Sequence, residues 1–142
     1  KGSALERLYF EKKYRPQTLE GAVSLCAELV LFFREKSIKI LKVGLQAEES
    51  LKKDIVAGPF HDNFGELVES RILLDRLLAE LSEKGDYTVF TAPETLSKMI
   101  GNRKVNIEKL REMGYNVKVR AADTSPLQFT VERTDGVVPK KP

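Results

Sequence analysis

The sequence predicts an α+β chain: a helix-and-strand piece of an incomplete (β/α) barrel, then a small unit ordered β-α-loop-α-β-β. Three observations carry this expectation. Residues 18–45 hold one broad apolar helix pattern and a single β-branched strand pattern. A glycine-rich aromatic loop and a second long helix pattern come next. From Asp86 onward short alternating runs flank two brief helical ones.

The first helix is expected from about Thr18 to Lys36, opened by Pro16-Gln17-Thr18 with Thr18 as the cap. Ala22, Val23, Leu25, Cys26, Leu29, Val30, Phe32 and Phe33 cover more than a narrow stripe, which predicts burial on a wide face. Ile38 to Leu45 reads as a strand broken by Gly44. In a βαβ barrel unit such a strand would deliver Gln46 to the site at its carboxyl end. Ala47 to Ile55 reads as a short helix. A long helix from about Phe64 to Lys84 follows, with Asn63 and Glu66 at capping-box spacing and Leu67, Leu74, Leu77, Leu78 and Leu81 on one face. Gly85 is placed as its left-handed C-cap.

In the second half, Tyr87–Thr91 is a strand, Pro93–Ile100 a helix, residues 101–104 an interruption and Val105–Met113 a helix stopped at Gly114. Asn116–Arg120 and Leu127–Val131 alternate as strands. The tail over 134–142, with Gly136, Pro139, Lys140, Lys141 and Pro142, has little to bury and is expected to be mobile.

Composition bounds the function classes. A chain of 142 residues, 42% hydrophobic and 32% charged, can bury a core and is neither disordered nor a membrane protein by composition. No apolar run reaches the roughly 18 residues that a membrane span requires. One cysteine excludes an internal disulfide framework and fits a reducing cytoplasm. Cys26, set among Val23, Leu25, Ala27, Leu29 and Val30, reads as a small hydrophobe rather than a ligand. The net charge is only +3, yet residues 98–120 hold seven basic side chains against two acidic ones. That asymmetry describes either a phosphate-attracting face or a solvated surface.

The run Gly58-Pro59-Phe60-His61-Asp62-Asn63-Phe64-Gly65-Glu66-Leu67-Val68 concentrates two glycines, a proline, two phenylalanines and the chain's one histidine. Such a loop brings backbone close to another surface. With Lys42-Val43-Gly44-Leu45-Gln46 ahead of it, it resembles the carboxy-terminal region of radical S-adenosylmethionine (SAM) proteins, those related to the Elongator catalytic subunit or labelled oxygen-independent coproporphyrinogen oxidase-like. Their pattern is Gly-Leu-Gln, a short helical segment, then Gly-Pro-x-His-x-x-Phe-Gly-Glu-Leu-Val, commonly with Pro-Ala where this chain has Asp62-Asn63.

The resemblance implies a parent with a 4Fe-4S cluster and S-adenosylmethionine, and a chain that begins inside that larger protein. One cysteine cannot hold the cluster, so no catalytic residue is assigned here and metal binding is not expected. Gln46 and His61 are the positions that would touch cofactor or substrate in the parent; otherwise His61 fastens its loop. The expected partner is the parent's own amino-terminal radical SAM domain.

Ile100-Gly101-Asn102-Arg103-Lys104-Val105-Asn106-Ile107 resembles the Ile-Gly-x-x-Gly-x-x-Ile of KH-type nucleic-acid-binding modules, with Lys104 where the second glycine stands. In that family the loop lies against the backbone of four nucleotides. The resemblance implies RNA contact by Lys98, Gly101, Asn102, Arg103, Lys104 and Lys109. The alternative is that Gly101 ends a helix, Ile100 and Ile107 pack the core, and the charges are solvated.

The expected organisation is therefore a barrel portion over 1–57, a KH-like accessory unit over 58–133 with its long connecting helix, and the tail. The expected function is to present RNA, transfer RNA being the leading class, to an upstream iron-sulfur site. A brace for an enzyme acting on a tetrapyrrole or other small molecule, and a freestanding interaction module, are the alternatives.

Overall fold

In a computed structural model, which describes residues 2–45 and 49–134, the chain divides into two compact units, Lys1–Val68 and Glu69–Pro142. Helix and a small sheet make it α+β. Gln46 and the tail from 135 onward lie outside the described residues.

The first unit opens with α1 (Ala4–Phe10), an element absent from the expected order. Its signal is the Ser3-x-x-Glu6 spacing: the Ser3 hydroxyl accepts from the Glu6 amide at 3.2 Å, and the Glu6 carboxylate accepts from the Gly2 amide. Helix α2 (Leu19–Glu35) begins as expected, with Thr18 Oγ1 accepting from the Gly21 amide at 3.1 Å. It buries only Ala22, Val23, Ala27 and Val30, one stripe instead of a wide face. Cys26 is half-buried and unpaired by disulfide.

The strand expected over Ile38–Leu45 does not form. That segment is irregular, and Leu41 is 88% exposed. A strand is held by a neighbour's amides and carbonyls, and the described residues of this unit contain no strand to supply them. Helix α3 (Glu49–Asp54) falls within the expected short helix.

Helix α4 (Phe64–Glu80) starts where expected. The Asn63 carbonyl accepts from the Glu66 and Leu67 amides at 3.0 and 3.1 Å. Phe64 and Val68 are buried at its start; Ile72, Leu73, Leu74 and Leu77 are buried farther along, in the second unit. The helix stops four residues short of Lys84. Tyr87 donates its hydroxyl to the Glu83 carbonyl at 2.7 Å, drawing the chain toward the sheet. Gly85 accordingly opens the first strand with φ 153° instead of capping the helix.

The second unit is a three-stranded sheet under helices. Its elements are β1 (Gly85–Thr91), a 3-10 turn (Pro93–Thr95), α5 (Leu96–Ile100), a second 3-10 turn (Asn102–Lys104), α6 (Val105–Glu112), β2 (Tyr115–Ala121) and β3 (Phe129–Arg133). The strand order is β2-β1-β3, with β1 parallel to β2 and antiparallel to β3. The two helices form the crossover that a parallel pair requires. One face of the sheet, with Tyr87, Val89, Val117 and Phe129, closes over Leu73, Leu77, Leu81, Met99 and Leu110 to form the core.

Strand β3 begins two residues later than expected. Leu127 takes φ 61°, its amide donates to Thr95 Oγ1 at 3.0 Å, and its carbonyl accepts from Arg76 at 2.8 Å. The connection is thus bolted down before pairing starts. The Arg76 guanidinium lies 5.1 Å from the centre of the Phe129 ring, a cation–π contact on the same lock.

Candidate functional site

Two places carry the predicted site residues. The first is the Gly58 loop. His61 is half-buried, and its Nδ1 accepts from the Asn63 amide at 3.1 Å, just ahead of α4. A neutral ring holding that bond carries its proton on Nε2. The His61 carbonyl accepts from the Phe64 amide at 3.2 Å, and Lys52 pairs with Asp62 at 3.1 Å. His61 therefore fastens the loop.

Glycine enables the close approach behind it. Gly44 has φ 87°, and a Cβ there would sit 2.9 Å from Phe64 Cβ. In front of this contact lies an open, mostly apolar cavity of about 270 Å³, lined by Leu45, Ile55, Pro59, Phe60, His61 and Phe64 among others. Among the described residues no three His, Cys, Asp or Glu side chains converge to hold a metal. With one cysteine in the chain, the residues present do not fit an iron-sulfur cluster.

The second place is the turn between α5 and α6. Gly101 is buried, with φ 81°, and a Cβ on it would meet Asn106 Cγ at 2.9 Å and Val105 Cγ1 at 3.0 Å. Only glycine fits. Asn102, Arg103 and Lys104 are exposed beyond it, and Arg103 and Lys104 are both left-handed, with φ 51° and 64°. The position where the KH pattern has glycine thus takes a glycine-like conformation with a lysine in it.

Two amides of the turn are bonded within it. The Lys104 amide donates to the Gly101 carbonyl at 3.0 Å, and the Val105 amide to the Asn102 carbonyl. Arg103 and Lys104 make no ion pair among the described residues. Lys98 is half-buried on α5, and Lys109 is exposed on α6. Ile100 and Ile107 are half-buried, while Met99 and Leu110 fill the core fully.

The residue that sequence reasoning missed is Asn106. It is 4% exposed, and its amide nitrogen lies 3.0 Å from Ser70 Oγ, 3.1 Å from the Met99 carbonyl and 3.3 Å from the carbonyls of Lys98 and Ser70. Those Lys98 and Met99 carbonyls fall at the end of α5, where a helix leaves acceptors without intrahelical partners. Asn106 satisfies them and ties the turn to α4. The available signal was an amide directly before Ile107, a residue that one reading of the sequence places in the core.

Among the described residues no helix is long and apolar enough to cross a membrane. No curated protein and no solved structure matches the chain. The family model of the radical SAM C-terminal domain matches residues 1–73, from α1 into α4 and across the whole Gly58 loop, and the chain belongs to that family.

Proposed function

We propose that this chain is the accessory carboxy-terminal region of a radical SAM enzyme and that its second unit presents RNA, transfer RNA in particular, to the catalytic domain. Family membership implies a 4Fe-4S cluster and S-adenosylmethionine in the parent, supplying reductive cleavage and hydrogen abstraction. Among the described residues no cluster of His, Cys, Asp or Glu could hold the metal, and substrate handling is the role we assign to this chain.

The observation that supports RNA is the turn itself. Two cations that make no ion pair among the described residues, Arg103 and Lys104, are carried on a left-handed turn that a buried glycine and a buried asparagine hold in place. Cations fixed in this way meet phosphate without ordering a floppy loop. Lys98 and Lys109 extend the positive surface, within the KH-like reading of the β-α-α-β-β order.

Binding of labelled transfer RNA across a salt series tests this. Affinity should fall steeply with salt, and the double change Arg103→Ala with Lys104→Ala should reduce the log–log slope by about two while the fold is retained. Absence of binding at low salt would sink the RNA reading.

The cavity beside His61 favours a second reading, in which the first unit contacts a tetrapyrrole or other small molecule that the parent modifies. His61 lines the cavity and is its natural contact; Gln46, the other position the resemblance implies, lies outside the described residues. Protection of His61 ring signals by a candidate substrate, in the absence of any RNA effect, would select it.

A further inference from the structure

The sheet of the second unit has two faces, and among the described residues only one is packed against helices. Val89, Val117 and Phe129 point into the helical core. The alternate positions point the other way: Asp86, Thr88 and Phe90 on β1, Asn116, Lys118 and Arg120 on β2, Thr130 and Glu132 on β3. Six of these eight are exposed, which places this face toward solvent among the described residues. Thr88 is the buried exception, a short side chain between the long Lys118 and Glu132 in register with it.

Phe90 sits on the central strand of that open face, half-buried, with Arg120 as its partner on β2 and Thr130 on β3. Its neighbours on the β2 side are cationic and uncompensated: Lys118 and Arg120 make no ion pair among the described residues. Asp86, the nearer carboxylate along β1, is engaged by Asn116 Nδ2 at 2.9 Å. Packing within this unit gives no reason for a phenylalanine here, because the core lies on the opposite side of the strand.

We propose that the open sheet face is a stacking surface for single-stranded RNA, in which one base lies on the Phe90 ring while Arg120 and Lys118 take the adjoining phosphates. An aromatic platform flanked by cations is how unpaired bases are held without sequence reading. The charges on the face are segregated, and this sets the occupant and its path: Lys118 and Arg120 line the β2 flank of the aromatic and attract a polyanion there, while Glu132 lies on the β3 flank and repels it, so the strand runs along β2. A duplex, whose bases are already stacked, gains nothing from Phe90. This inference rests on the RNA reading above and adds a second contact, distinct from the Arg103–Lys104 turn.

The test uses the full chain and a fluorescein-labelled oligoadenylate decamer, followed by anisotropy at several salt concentrations. Phe90→Leu keeps the apolar volume and removes the aromatic face; it should weaken binding about tenfold, leave the salt slope unchanged and leave the circular dichroism spectrum intact. Phe90→Tyr should restore affinity. Arg120→Ala should instead lower the slope by about one. A decamer duplex should bind without responding to Phe90→Leu.

Equal affinity of wild type and Phe90→Leu for the single strand overturns the stacking surface. If the Arg103→Ala, Lys104→Ala pair still weakens binding in that case, the RNA reading stands without it. If wild type binds neither transfer RNA nor decamer at low salt, both fall together. A Phe90→Leu effect on duplex and single strand alike also overturns it, since that would make the role structural.

Discussion

Replacing Asn106 by leucine removes a buried amide while keeping the branched heavy-atom skeleton of the side chain, so it tests what the amide does. The nitrogen has two protons and four acceptors within 3.0 to 3.3 Å, so two bonds are made at a time. Each contributes about 1 kcal/mol net, and orphaning the Met99 and Lys98 carbonyls adds a desolvation cost of about 1–3 kcal/mol. The expected loss is about 3 kcal/mol, which in a unit of this size lowers its Tm by more than about 10 °C. Urea and thermal unfolding followed by circular dichroism read it directly. Ser70→Ala should cost only about 1 kcal/mol, because the α5 carbonyls keep their donor. In a double-mutant cycle the two changes should be non-additive, since they share one nitrogen. A loss below about 0.5 kcal/mol for Asn106→Leu would refute the assignment of the amide as the clamp of this turn.

Two substitutions probe the left-handed positions, in opposite directions. Lys104→Gly should raise stability by about 0.5–1 kcal/mol, because glycine takes φ 64° without the strain that lysine bears, and should weaken transfer RNA binding by removing a charge. Denaturation and binding measured on the same variant separate the two effects. Gly44→Ala should cost at least about 2 kcal/mol, from φ 87° together with a Cβ 2.9 Å from Phe64, and should show as increased proteolysis within the Gly58 loop.

The second unit was legible in the sequence nearly element by element, because its order rests on local signals: Pro93 starting a helix, Gly114 stopping one, strict alternation from Asn116 to Arg120. Its departures are tertiary. Leu127 has β character, yet Thr95 and Arg76 hold it out of the ladder. Asn106 looks like a surface residue until the unfilled carbonyls of α5 explain it. In the first unit the strand over Ile38–Leu45 misled for the same kind of reason. Strand propensity describes a half-buried surface between neighbours, and none of the described residues there supplies one. The site residues split likewise: His61 and the Gly101 turn stood out by composition, whereas the cavity beside His61 depends on folding that sequence spacing cannot display.

The two units differ in how much of their apolar surface they cover, and this decides how each should behave when isolated. Among the described residues fourteen large hydrophobic residues are exposed, and twelve of them lie in the first unit, including Leu25, Leu29 and Phe32 on α2 with Leu41 and Leu45 after it; Val105 and Met113 are the two in the second. An apolar area of that extent on a helix normally marks a surface that another element covers. Residues 64–134, which keep α4 whole, should therefore fold alone with a cooperative urea transition. Residues 2–63 should bind a hydrophobic dye and unfold over a broad range, as a loosely packed helical state does. Adding the family's catalytic domain in trans should suppress that dye binding, because it would cover the α2 face. A sharp transition and no dye binding by the isolated 2–63 fragment would remove the physical ground for placing a partner on that face.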